Sequence, residues 1–159
     1  MQSLFRTAAA ACAAGLFALA TGGWAEPAPV LHLESIRVQL LYTSSGTLSE
    51  DVAPPADFSL FNTVIGEGSA AEPANDFLVG VLVTSPSDQA NGTVPLVVTV
   101  KDAQGKVLAR RTFSSIFVDD HRSVSSVFVP DATCAGAVTV EAVMGAQKLK
   151  TRLDFVCGE

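Results

Sequence analysis

The chain has 159 residues, 48% of them apolar and 16% charged, with a formal charge of −6. That length suits one domain and is short for two. The apolar share excludes a disordered tail, and sixteen acids against ten bases argue against a nucleic-acid partner, which needs a basic face.

Residues 1–25 read as a secretory signal peptide. Arg6 supplies a weakly positive start, and Thr7 to Thr21 is rich in Ala, Leu and Phe. Gly23-Trp24-Ala25 places small residues at both key positions of a cleavage site before Glu26. Cys12 lies inside the apolar run and not at its end, which argues against lipidation there. No later apolar run reaches the roughly 20 residues of a membrane span, so no transmembrane anchor is expected after cleavage. Cleavage leaves residues 26–159 as a single domain, and losing Arg6 takes the charge to −7. The expected location is the periplasm or the extracellular medium.

A short Pro-containing arm, residues 26–30, opens the mature chain. Ile36, Val38, Leu40 and Tyr42 alternate with Arg37, Gln39 and Thr43, the pattern of a half-buried strand. Leu31 and Leu33 have the opposite parity, which predicts a bulge near Glu34-Ser35. Residues 44–58 form a polar connection, and Leu60 to Ile65 is a second candidate strand.

The next connection, residues 66–76, holds two motifs. Gly66-Glu67-Gly68-Ser69-Ala70-Ala71 fits a permissive dinucleotide fingerprint. That fingerprint needs a helix N-terminus for the pyrophosphate, yet Glu72-Pro73 and another strand follow. A glycine-rich loop is the better reading. Glu67, Glu72, Asn75 and Asp76 are oxygen donors of the kind that hard cations such as Ca²⁺ take, although their spacing is not that of an EF-hand loop. No other cofactor is indicated.

Phe77 to Val83 is apolar at both parities and reads as a central strand buried on both faces. Asn91-Gly92-Thr93 is a formal glycosylation sequon whose Asn-Gly suits a turn. Val94, Leu96, Val98 and Val100 form the next strand face, and Asp102-Ala103-Gln104-Gly105 turns the chain into a hairpin. Strand continues to Val118 with a break at Ser114-Ser115. Asp119-Asp120-His121 carries ligand or proton-transfer chemistry in principle, but three adjacent polar residues between strands fit a turn. Val124 to Val129 is a further strand.

The last strands form a hairpin. Val138, Val140, Ala142 and Met144 alternate on one side of Gly145-Ala146, and Leu149, Thr151, Leu153 and Phe155 on the other. Gly at the first central position suits a type II′ turn. That turn pairs Val138 with Leu153 and Ala142 with Leu149, and continues to Cys134 opposite Cys157 on the apolar face. In an oxidising compartment the two cysteines are expected to form a disulfide, contributing roughly 3–3.5 kcal/mol by loop closure.

Chemistry-bearing constellations are sparse. Only His32 and His121 are available as catalytic bases, and there is no G-x-S-x-G, H-E-x-x-H, P-loop or C-x-x-C. Nine acids and one base, Arg37, lie in residues 26–100, whereas residues 101–159 hold eight bases and seven acids.

Seven to nine short strands with Gly, Pro, Asn and Asp turns, and no sustained helical period, predict an all-β antiparallel sandwich. The strand rhythm, the Lys101-Asp102-Ala103-Gln104-Gly105-Lys106-Val107 hairpin and the disulfide hairpin resemble small exported bacterial domains with an immunoglobulin-like fold. The resemblance implies an immunoglobulin-like sandwich with one disulfide. The only Trp lies in the signal, so the antibody pattern of a disulfide packed on Trp is missing. The expected role is non-catalytic: an exported interaction or structural module whose partner is a protein of the cell envelope. A metal- or small-ligand-binding domain built on the 66–76 loop is the alternative.

Overall fold

A computed structural model describes residues 30–158. The expected signal peptide and most of the arm lie outside the described residues. Among the described residues there are nine strands, and all pairings between them are antiparallel. One sheet contains β1 (His32–Leu41), β2 (Asp76–Thr84) and β7 (Arg122–Val129), in the order β1-β2-β7. The other contains β4 (Leu96–Lys101), β5 (Val107–Phe113), β8 (Ala137–Met144) and β9 (Gln147–Asp154), in the order β5-β4-β8-β9. A short pair, β3 (Ala90–Gly92) with β6 (Ile116–Val118), accompanies them. The chain crosses between the two large sheets three times, after β2, β5 and β7.

Alternation explains the packing. Val38, Leu40, Phe77, Val79, Val81, Val83 and Val129 point inward from one sheet, and Leu96, Val98, Val100, Val138, Val140 and Leu153 from the other. Together they form one core, in which Phe77 stacks on Phe155 with ring centroids 5.6 Å apart. Each fully buried Val, Leu or Phe contributes about 1.5–3 kcal/mol, which makes this shared layer the main source of stability. The fold is an antiparallel β-sandwich with one disulfide, as its strand rhythm predicts.

The C-terminal hairpin has the expected register, Val138 opposite Leu153 and Ala142 opposite Leu149. Gly145 has φ 58°, the positive value that the first position of a type II′ turn requires. Cys134 and Cys157 are bonded, with Cα atoms 5.5 Å apart. Their placement differs from the expected apolar face. The ladder ends at Ala137, and Gly136 turns away at φ 71°. Cys134 is therefore exposed and Cys157 half-buried, and the disulfide sits at the rim.

Other expectations need correction. Leu60 to Ile65 is not a strand. Asn62 is left-handed at φ 45°, Thr63–Ile65 forms a 3-10 turn, and only Phe61 makes an isolated bridge, to Val156. Pro95 lacks an N–H, so β4 begins at Leu96 and Val94 is left exposed. Asn91-Gly92 is not a turn but part of β3, where a side chain on residue 92 would collide with Leu31. β2 is central, but only one of its faces is buried; Leu78 and Leu82 on the other are partly open. The bulge in β1 falls between Leu33 and Ser35, as expected.

Candidate functional site

The acidic 66–76 loop is a structural tie. Glu67 accepts a hydrogen bond from Asn62 Nδ2 (2.7 Å), and Glu72 accepts from the Ser45 amide (3.0 Å). Asp76 accepts from the Asp131 amide (2.9 Å), and the Asn75 carbonyl accepts from the amides of Ala132 and Thr133. The loop is thus tied to three stretches of chain: Glu67 to Asn62, Glu72 to Ser45, and Asn75 (through its main-chain carbonyl) together with Asp76 to residues 131–133. Among the described residues, no group of three or more His, Cys, Asp or Glu is arranged to hold a metal ion.

Asp119-Asp120-His121 forms a two-residue turn. Asp120 and His121 have φ 50° and 62°, and Asp119 and Arg122 exchange both main-chain hydrogen bonds. Two successive positive φ values make this a type I′ hairpin turn. His121 Nδ1 lies 3.3 Å from the Ser85 carbonyl oxygen, so this ring faces main chain and not a hydroxyl nucleophile. His32 is exposed on β1.

The outer faces of the two sheets differ in character. On the three-stranded sheet, Leu78 pairs with Phe128 and Leu82 with Val124, with Gly80 between them. Phe128 is 48% and Val124 56% exposed. A sheet face that meets water is normally polar, and this apolar strip departs from that pattern. Alternation in β7 signals it: Val124 and Phe128 have the parity opposite to the buried Val127 and Val129. The apolar run of β2 masks the strip in the sequence, because it looks equally like burial on both faces.

The outer face of the four-stranded sheet is cationic. Register aligns Arg110, Thr99, Glu141 and Lys150 in one row, with Lys101, Thr139 and Arg152 in the next. Lys148 bonds Glu141 at 2.6 Å, and Arg152 bonds Asp154 at 2.9 Å. The hydrogen bond from Lys148 holds the Glu141 carboxyl below the ordinary carboxylate range; burial opposes this, and the charges of Lys148, Lys101 and Lys150 reinforce it. Five of the nine bases that follow residue 25 share this face.

No helix among the described residues is long and apolar enough to cross a membrane. No protein-family model matches the chain, and no curated protein matches it either.

Proposed function

We propose that this chain is a non-catalytic, immunoglobulin-like interaction module, exported through a cleaved signal peptide, that binds a protein of the cell envelope. The apolar strip Leu78, Leu82, Val124 and Phe128 carries this reading. It is a side-chain-lined sheet face outside the core, suited to packing against another protein surface. The rim disulfide supports an oxidising destination, where such a bond persists.

A photo-crosslinking residue in place of Phe128 tests the reading in intact cells. A discrete crosslinked species that disappears when Leu78→Glu or Val124→Glu is added is the expected result. Crosslinks that persist unchanged in both variants would refute it. Thermal unfolding separates this role from cation binding. The reading expects the same midpoint in EDTA and in millimolar Ca²⁺. A ligand at about 100 times its Kd adds roughly 2.7 kcal/mol, so a Ca²⁺ site would raise the midpoint by several degrees.

A further inference from the structure

We propose that the outer face of the four-stranded sheet is a second docking surface, for an extended acidic segment of a partner protein. Lys148, Lys150 and Arg152 alternate along β9, so their side chains repeat at about 6.7 Å, twice the rise per residue. An extended peptide with an acid at every second position has the same repeat. Arg110 and Lys101 extend the cationic area across β5 and β4.

Two observations select a protein segment over other anions. Glu141 stands near the middle of the face, ionised and bonded to Lys148. A phosphate polymer or an anionic bilayer presents dense negative charge, which Glu141 and the overall charge of −6 oppose more strongly than they oppose a segment with an acid only at every second position. The cations are also interleaved with Val97, Val143 and the 48% exposed Val107, and with Thr99 and Thr139. Acidic, apolar and hydroxyl side chains of a peptide find matching neighbours there. This surface is on the opposite sheet from the Phe128 strip. It rests on the reading of the chain as an interaction module but not on that strip.

The test uses a fluorescent ten-residue peptide of alternating Glu and Thr, titrated with the purified protein. Inorganic polyphosphate and vesicles of seven parts phosphatidylcholine to three parts phosphatidylglycerol are the comparison probes. Saturable peptide binding with a Kd below about 1 mM at low salt is expected, weakening about fivefold or more at physiological ionic strength. The Lys101→Glu, Lys150→Glu double variant should abolish it. Arg37→Glu with Arg122→Glu changes the net charge equally at sites off this face and should largely preserve it. Glu141→Gln should tighten it. Absence of saturable binding overturns the proposal, as does binding that survives in the Lys101, Lys150 variant. Tighter binding of polyphosphate or vesicles than of peptide overturns the acidic segment as occupant. Any of these results can occur with Phe128 crosslinking intact, so the two readings fail separately.

Discussion

Gln147 closes one open side of the sandwich with a single side chain. Its Nε2 donates to the Leu31 carbonyl at 2.7 Å, and its Oε1 accepts from the Leu33 amide at 2.8 Å. Both main-chain groups belong to the bulged start of the first sheet, so the amide takes the place of a strand partner. Gln147→Ala would leave a part-buried donor and acceptor unpaired, at a cost of about 1–3 kcal/mol. Urea unfolding of the variant measures that loss, and an unchanged midpoint would contradict the role. Nothing local in the sequence shows this contact, because its partners lie 114 and 116 residues away. Glu141 gives a second residue-scale prediction. Its carboxyl ionises below its ordinary range in the folded state. Its contribution to stability is therefore present above the unfolded pKa and is lost as pH falls through the lowered folded value. Glu141→Gln should remove that acid-limb contribution from the stability–pH profile. An NMR titration that places the Glu141 carboxyl at an ordinary value would count against the Lys148 pairing.

At the scale of elements, the long alternating strands and their tight hairpin turns were legible, and the short strand β3 and the long connections were not. Alternation located β1, β4 and the final hairpin, because one buried face imposes a period of two. Connections hold this chain through main-chain groups, which every residue type carries alike. Residues 47–52 run along the free edge of β1. The Val52 and Ser49 amides donate to the Val38 and Leu40 carbonyls, while Asp51 and Ser49 side chains accept from the Val38 and Leu40 amides. This covers an edge that would otherwise invite pairing with another chain. The 66–76 loop is held just as firmly. Thr133 Oγ1 donates to the Ala74 carbonyl, the Ala74 amide donates to Thr63, and Ala74 is fully buried. Gly68, at φ 67°, has no room for a side chain, because the Ser59 and Phe61 carbonyl oxygens would lie 2.7 and 2.9 Å from its Cβ. In sequence the loop reads as a glycine-rich connection, and a mere connection would tolerate replacement by a short turn. Its tertiary ties predict the opposite. Replacing residues 66–74 with a short turn removes several hydrogen bonds at about 1 kcal/mol each and the burial of Ala70 and Ala74. The truncated chain should melt several degrees lower by circular dichroism; an unchanged midpoint would restore the simpler view of the loop.

Over the whole molecule, the two sheets meet along two open sides, and polar side chains close both. Gln147 spans the side between β1 and β9, and Arg111 the side between β5 and β7, donating to the Ser126 carbonyl at 3.0 Å above the Phe113 ring. Arg111 opposes the buried Val98, so it points toward the interior layer and extends out along its edge, an arrangement that composition alone leaves invisible. The disulfide was legible because one register number, set by the Gly145 turn, relates every hairpin pair and the two cysteines alike. Its mechanical role emerges only from the fold. Cys134 follows Ala132 and Thr133, which are hydrogen-bonded to Asn75 and Ala74, whereas Cys157 follows Val156, which is bonded to Leu60 and Asn62. The bond therefore fastens together the two stretches on which the 59–76 region rests. Closing a separation of 23 residues contributes about 3 kcal/mol. For a domain of this size that corresponds to roughly 10 °C in the melting midpoint. The Cys134→Ala, Cys157→Ala double variant should show this loss while retaining its β-sheet circular dichroism, since the core layer contains neither cysteine. Its amides at Ser59 to Asn75 should also exchange with solvent faster than those of β2 or β4. Uniform exchange across the variant would show that the bond stabilises the chain without tethering this region in particular.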